Sequence, residues 1–199
     1  ALNQYCDRVE IMAYDQGTID QKLNAIRQAP YAPVADPGWV EALVRLAAQT
    51  ISRNKLIVGI PTYGYEYAVT PLANSTFEYK VLWPFNYRYA TDIASRLGIT
   101  PTRTSANEIG FSYNPALLQS APTGANSTLL QQHEIPLSTI TQNASGTTPI
   151  AQPFHYLSWS DAQAIKDKVD LAKRLGVRGV AVFKFDGGED QGMWEVLRK

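Results

Sequence analysis

The chain has 199 residues, 45% hydrophobic and 18% charged, the composition of an ordinary soluble globular protein with one domain or one domain carrying an insertion. Its 18 basic and 18 acidic side chains give zero formal net charge, and no Lys/Arg run builds a basic patch, which argues against nucleic acid or an anionic membrane as partner. Cys6 is the sole cysteine and His133 and His155 the sole histidines, so no internal disulfide, no thiolate metal site and no cofactor is expected, and a histidine zinc site is disfavoured.

The first element read from the pattern is a short strand. Val9, Ile11 and Ala13 alternate with Arg8, Glu10, Met12 and Tyr14, and Gly17 follows soon after, so Tyr14 and Asp15 fall at the strand's C-terminal end. A polar stretch with Pro30, Pro33 and Pro37 comes next. A helix is expected over Trp39–Ala48, with Trp39, Leu43, Leu46 and Ala47 on its apolar face and Asp36-Pro37 as cap and first-turn pair. Lys55-Leu56-Ile57-Val58-Gly59-Ile60-Pro61 is an almost continuous apolar run, which suits a parallel strand buried on both faces. It ends in Thr62-Tyr63-Gly64-Tyr65, a second aromatic cluster at a strand end.

The same rhythm resumes near the other end of the chain. Ser160-Asp161-Ala162-Gln163 is a capping-box candidate with Ser160 as N-cap, Ile165, Val169 and Ala172 form an apolar stripe, and Gly176 ends the helix. A third strand is expected over Val177–Phe185, followed by Asp186-Gly187-Gly188-Glu189-Asp190 and a short helix from Met193 to Leu197. The two ends therefore read β-α-β and α-β-α, which predicts right-handed parallel β/α units.

Between Tyr65 and Trp159 this alternation breaks. Strand-like pieces at 77–82, 108–113 and 153–157 surround one helix candidate, Tyr87–Leu97, which predicts an α+β insertion. Within it, residues 119–152 are rich in Ser, Thr, Asn, Gln, Ala and Pro, a composition expected of a mobile loop. The Asn-x-Ser/Thr matches at Asn74, Asn126 and Asn143 are chance-level in such a stretch. No charged-then-apolar leader opens the chain, and no apolar run approaches the ~18–20 residues that cross a bilayer.

Three segments together resemble the family 18 glycoside hydrolases, the chitinases and their peptidoglycan-cleaving bacterial relatives. Met12-Ala13-Tyr14-Asp15 is similar to the Met-x-Tyr-Asp motif ending the family's sixth barrel strand. Gly59-Ile60-Pro61-Thr62-Tyr63-Gly64 is similar to the Gly-x-Pro-x-Tyr-Gly stretch ending the seventh. The segment from Tyr156 through Gly176 to Phe183 resembles the approach to the eighth. Met-Ala-Tyr-Asp and the Phe-Asp-Gly-Gly-Glu-Asp ending look closer to spore peptidoglycan hydrolases than to animal chitinases.

The resemblance implies an α/β fold: the C-terminal part, strands 6–8, of a (β/α)8 barrel, made by residues 1–64 and 157–199, with residues 65–156 inserted between strands 7 and 8. It implies an N-acetylglucosamine-containing glycan as ligand, chitin or peptidoglycan, hydrolysed by the substrate-assisted retaining route. In that route Tyr14 orients the acetamide, and Met12, Asp15, Tyr63, Tyr65 and Phe183 line the sugar pocket at the strand ends. Phe183 stands where the family commonly has a pocket-floor Trp. The 11 Tyr, 6 Phe and 4 Trp suit stacking on sugars as well as packing a core.

One part of the family pattern has no counterpart. The general acid ends an Asp-x-x-Asp-x-Asp-x-Glu motif, and nothing in the 199 residues matches it. The isolated chain is therefore expected to be inactive, with its open strands covered by an N-terminal part of the same parent barrel or by self-association. The parent is expected to be secreted, or associated with the cell wall or spore. Two other readings stand beside the enzyme: a non-catalytic, chitinase-like saccharide-binding protein, and an unrelated α/β protein with accidental matches. Asp186, Glu189 and Asp190 are expected to be turn residues.

Overall fold

Two sheets organise the chain, each built by a different sequence rhythm. The computed structural model describes residues 1–72, 75–120 and 152–198. The stretch expected to be a mobile loop, and the Asn74, Asn126 and Asn143 matches, lie almost wholly outside the described residues.

In chain order the elements are α1 (Leu2–Tyr5), β1 (Val9–Ile11), α2 (Gln16–Ile19), α3 (Gln21–Ala25), α4 (Pro37–Ala47), β2 (Leu56–Pro61), β3 (Tyr63–Pro71), β4 (Phe77–Asn86), α5 (Tyr87–Leu97), β5 (Thr102–Arg103), β6 (Ile109–Tyr113), α6 (Ala116–Ser120), β7 (Phe154–Trp159), α7 (Ala162–Leu175), β8 (Gly179–Phe183) and α8 (Met193–Leu197).

The first sheet is parallel, in the order β1-β2-β8. Val9 pairs with Leu56 on one side, and on the other Ile57 to Pro61 run beside Gly179 to Phe183. One face is covered by helices. Val58 of β2, Val40 and Val44 of α4, and Leu171, Ala172 and Leu175 of α7 share one core cluster. Ile60, Ile165, Val169 and Met193 share another beneath α8. Side chains alternate across a strand, so Glu10, Ile57, Gly59, Ala181 and Phe183 lie on the opposite face. That face is covered far less: Glu10 and Phe183 are exposed and Ala181 is half-buried.

The second sheet is antiparallel, in the order β4-β3-β7-β6-β5. Its core packs Phe85, Phe111, Tyr113, Leu157 and Trp159 against Ala90, Ile93, Ala94 and Leu97 of α5. A β-bulge between Glu66 and Tyr67 interrupts the β3–β4 register. Asn86 caps α5 by accepting from the Tyr89 amide, and Gly98 closes it at φ 65, a conformation that costs a residue without Cβ nothing.

Several sequence expectations shift in detail. The helix expected over Trp39–Ala48 starts at Pro37, with Asp36 accepting from the Gly38 amide as its cap. Its buried face is centred on Val40 and Val44, and Leu46 is 64% exposed. The apolar stripe was thus placed out of phase, because Trp39 and Leu43 flank the true contact line instead of occupying it. The N-cap of α7 is Asp161, not Ser160: its carboxylate accepts from the Ala164 amide, a stronger acceptor than a hydroxyl. The last strand is Gly179–Phe183, shorter than Val177–Phe185. Tyr63 and Tyr65 belong to β3 of the second sheet, so that sheet begins within two residues of the first. The polar stretch before Pro30 holds α2 and α3, two helices too short to show a period.

Candidate functional site

The chain leaves β1 through Met12 and Ala13 and turns sharply at Asp15. Asp15 takes a left-handed conformation, φ 65, which an Asp tolerates better than a bulky residue does. It stands at the N-cap of α2, yet its side chain makes no capping bond there. The carboxylate turns instead toward β3. Its Oδ1 accepts from the Tyr63 hydroxyl in a short hydrogen bond and from the Tyr65 hydroxyl at 2.9 Å. A bend after one strand and the start of another thereby share a single oxygen.

Tyr14 reaches the same place from the preceding position. A Cβ on Gly59 would lie 2.8 Å from the Tyr14 ring and 2.9 Å from the Ile11 carbonyl, so only glycine lets the ring lie against β2 here. The ring stacks on Phe183, with centroids 5.4 Å apart and planes 12° from parallel. Tyr63 meets both edge-on, its centroid 6.3 Å from Tyr14 and 5.9 Å from Phe183. Tyr65 extends the row, 5.7 Å from Tyr63. Such edge-on and offset pairs follow from the ring quadrupole.

Phe183 is held from behind. Thr62 donates its amide to the Phe183 carbonyl at 2.9 Å, and its Oγ1 accepts from the Lys184 amide at 3.0 Å around a cis Phe183–Lys184 peptide. Of the six residues singled out from the sequence, Tyr14, Asp15, Tyr63, Tyr65 and Phe183 form one contact network at the C-terminal ends of parallel strands. Met12 lies just beyond β1 and is 70% exposed.

The phenols are firmly neutral. Burial, then the hydrogen bond to Asp15, pushes Tyr63 far above the ordinary tyrosine range, and the same two causes push Tyr65 up to about 12. Burial also raises Tyr14, helped by the nearby Glu10 and Asp15 charges. The site therefore presents a carboxylate held by two neutral hydroxyls, with a further phenol stacked on an exposed ring. Such groups can orient hydroxyls and amides and stack on an apolar sugar face. Among the described residues no three His, Cys, Asp or Glu side chains converge to hold a metal ion.

Asp186, Glu189 and Asp190 serve the turn that follows β8. Glu189 accepts from the Asp186 and Gly187 amides, Asp186 from the Gly188 amide, and Asp190 from the Ala162 and Gly192 amides. Sequence reasoning missed the residues that hold the Asp15 bend from outside. The Gln16 side chain accepts from the Asp36 amide at 2.8 Å, and Glu108, fully buried, accepts from the Val34 and Ala35 amides at 2.8 and 2.7 Å. A second fully buried acid, Glu66, accepts from Tyr89, Tyr113 and His155. Tyr65-Glu66-Tyr67, a lone acid between aromatic strand residues, hints that Glu66 is buried but not which donors it meets, and Glu108 after Asn107 carries no such hint.

The chain resembles known proteins along nearly its whole length. The model of the glycosyl hydrolases family 18 matches residues 1–188. A Bacillus subtilis (strain 168) protein described as the uncharacterized glycosylase YvbX is 21% identical over 198 residues, covering 100% of this chain. The chain spans 43% of that relative's length. The crystal structure of the Bacillus megaterium QM B1551 spore cortex-lytic enzyme SleL matches with TM-score 0.61 at 20% identity, covering 98% of this chain and 34% of that one. The chitinase-like agglutinin RobpsCRA from Robinia pseudoacacia matches with TM-score 0.56 at 17% identity, covering 98% and 47%. These structural likenesses establish an α/β fold similar to that of the chitinase-like barrels.

Proposed function

We propose that this chain, which belongs to glycosyl hydrolase family 18, supplies one wall of the sugar pocket and the acetamide-orienting tyrosine of a glycosidase acting on β-linked N-acetylglucosamine glycans, chitin or peptidoglycan. The observation that carries the reading is the convergence of Tyr14, Asp15, Tyr63, Tyr65 and Phe183 where parallel strands end. Ligands of β/α barrels bind at that end of the strands.

In the substrate-assisted route the N-acetyl oxygen of the sugar attacks its own anomeric carbon, and a protein acid protonates the leaving oxygen. Tyr14 would donate its hydroxyl to the acetamide and hold it for attack, which works by orientation and leaves the proton on the phenol. Asp15, fixed by two hydroxyls, keeps one carboxylate oxygen for the acetamide nitrogen or a sugar hydroxyl. Phe183 offers its open ring as the pocket floor. The proton donor is the piece the 199 residues lack, since no Asp-x-x-Asp-x-Asp-x-Glu occurs in them. General acid catalysis contributes ~100- to 10,000-fold in rate, so the isolated chain would bind without cleaving.

In this reading residues 1–64 and 157–199 are three β/α units of a (β/α)8 barrel and residues 65–156 an insertion. What supports it is the three-stranded parallel sheet with helices on one face, an under-covered opposite face, and no described strand beyond β1 or β8. The remaining strands would come from another stretch of the parent chain, or the face would be covered by a second copy.

A second reading has one observation in its favour. Phe183 lacks the indole N–H of the usual floor Trp, which would suit a saccharide-binding protein without catalysis. Calorimetry with N-acetylglucosamine oligomers, beside a hydrolysis assay, separates the possibilities. Binding that Tyr14→Phe weakens, without cleavage by the chain alone, is the expected result. Equal binding of glucose oligomers would sink the acetamide-orienting role, binding of neither would sink the saccharide reading, and cleavage by the chain alone would overturn the predicted inactivity.

A further inference from the structure

The Asp15 bend is gripped by a strip of backbone, residues 32–36, that is bonded along both edges. On one edge its carbonyls face the bend: Val34 accepts from the Gln16 amide at 3.0 Å and Pro33 from the Gly17 amide at 2.7 Å. The Asp36 amide returns a bond to the Gln16 side chain at 2.8 Å. A Cβ on Gly17 would lie 2.9 Å from the Ala32 backbone, so the bend and the strip touch with no room between them. On the other edge the Val34 and Ala35 amides both point into the second sheet, where the Glu108 carboxylate takes one with each oxygen.

Glu108 is completely buried and precedes β6 directly. Its Oε2 also accepts from Ser158 at 3.0 Å, and the buried Lys168 ammonium stands 3.8 Å from Oε1. Burying a carboxylate is costly, and a neutral amide in its place could not accept from two consecutive N–H groups with two oxygens. The burial therefore asks for a function beyond filling space.

We infer that Glu108 is a positioning residue that sets the Asp15 carboxylate in its bend, through residues 32–36 and the Gln16 and Gly17 amides. It is fully buried, and its partners are Val34, Ala35, Ser158 and Lys168, all internal. The antiparallel sheet thereby reaches the site twice, through the Tyr63 and Tyr65 hydroxyls on one side of Asp15 and through Glu108 behind it. The first contact tells Asp15 where its carboxylate points, and the second fixes where its backbone stands. The inference rests on Asp15 belonging to the proposed sugar pocket only for its ligand readout.

The test is Glu108→Gln in the chain as given, which keeps size and burial but turns one acceptor into a donor facing a backbone N–H. Hydrogen exchange at the Gln16 and Gly17 amides is expected to speed up about tenfold, the scale set by one unsatisfied buried group. The Asp15 carboxyl ¹³C resonance and the Tyr65 alkaline titration should shift with it. Glu66→Gln, an equally buried acid in the same sheet that makes no bond to residues 32–36, should leave the Gln16 and Gly17 exchange unmoved, which separates positioning from general destabilisation.

A folded Glu108→Gln chain with Gln16, Gly17 and Asp15 signals as in the parent would overturn the inference. If Glu108→Gln does not fold, Ser158→Ala, which removes a single donor to the same carboxylate, must move those signals the same way by a smaller amount, and no movement overturns it equally. Affinity for an N-acetylglucosamine oligomer should fall about tenfold in Glu108→Gln. That loss should be non-additive with Asp15→Asn, because both act on one carboxylate. Should the parent chain bind no such oligomer, the saccharide reading fails while exchange and titration still decide the role of Glu108.

Discussion

The ring of Tyr14 lies face to face with the ring of Phe183, centroids 5.4 Å apart, although Tyr14 is buried and Phe183 is 47% exposed. One ring is thus fixed by the core and the other is available to a ligand. Stacking of this kind is worth ~0.5–1.5 kcal/mol beyond area burial. Phe183→Ala should therefore weaken binding of N-acetylglucosamine oligomers by about 3- to 10-fold, the same range expressed as affinity. Phe183→Trp should hold or improve it, since a larger face is offered to the sugar. Calorimetric titration of the two variants checks both directions, and an unchanged affinity in Phe183→Ala would remove Phe183 from the pocket.

A second outcome concerns the two phenols on Asp15. Burial and then the Asp15 hydrogen bond raise Tyr63 and Tyr65 above the ordinary value of ~10. The folded state therefore holds these protons more tightly than the unfolded state. Their stabilisation is fully present below about 10 and is lost as pH rises through the folded values, about 12 for Tyr65. Asp15→Asn removes the charge and leaves the burial. Both tyrosines should then ionise at lower pH, and alkaline unfolding should begin earlier. Ring resonances followed through an alkaline titration read this directly.

At the acid end the informative pair is Arg103 and Asp161. The two guanidinium nitrogens each meet one carboxylate oxygen at 2.7 Å, and the same carboxylate caps α7 through the Ala164 amide. Burial alone would raise Asp161, but Arg103 and the amide outweigh it and hold it below the usual carboxylate range. Its stabilisation is complete above about 3.9 and disappears as pH falls through the lowered folded value. Arg103→Gln should move that loss to higher pH. Asp161→Ala should cost ~0.5–2 kcal/mol at neutral pH, the value of an N-cap. Acid unfolding followed by circular dichroism distinguishes the two variants.

Much of this site was legible because its residues sit at ends of strands that announce themselves. The apolar run 55–61 and the motif ending in Tyr14-Asp15 fix where the chain turns, and turns after parallel strands are where ligands bind. What the pattern hid was of a different kind. β3 alternates aromatic and polar residues from Tyr63 onward with no turn signal to part it from β2, so Tyr63 and Tyr65 read as the C-terminal end of the preceding strand. The phase of α4 was off by one position, because Trp39 and Leu43 are as apolar as Val40 and Val44 and only packing chooses between them. Glu108 and Glu66 escaped entirely, since a buried carboxylate is defined by donors up to 89 residues away in the chain. Local spacing carries no trace of such partners.

Glu66 itself supplies the last prediction. Its Oε1 accepts from Tyr113 at 2.6 Å and meets His155 Nδ1 at 2.6 Å, and its Oε2 accepts from Tyr89 at 2.8 Å. Three elements of the second sheet and its helix are pinned to one carboxylate on β3, the strand that also delivers Tyr63 and Tyr65. Glu66→Leu would fill the space but leave two phenols and an imidazole without their acceptor. A buried group so stranded, here Tyr113, costs ~1–3 kcal/mol, and the half-buried Tyr89 and His155 add less, so the variant should lose at least that much stability. Tyr113→Phe in that background should return part of the loss, because it deletes one of the stranded hydroxyls, whereas Tyr113→Phe alone should destabilise. Denaturant unfolding of the four proteins closes the cycle. Simple additivity would mean that the carboxylate and the phenol do not act as a unit, and that β3 is held by its strand partners alone.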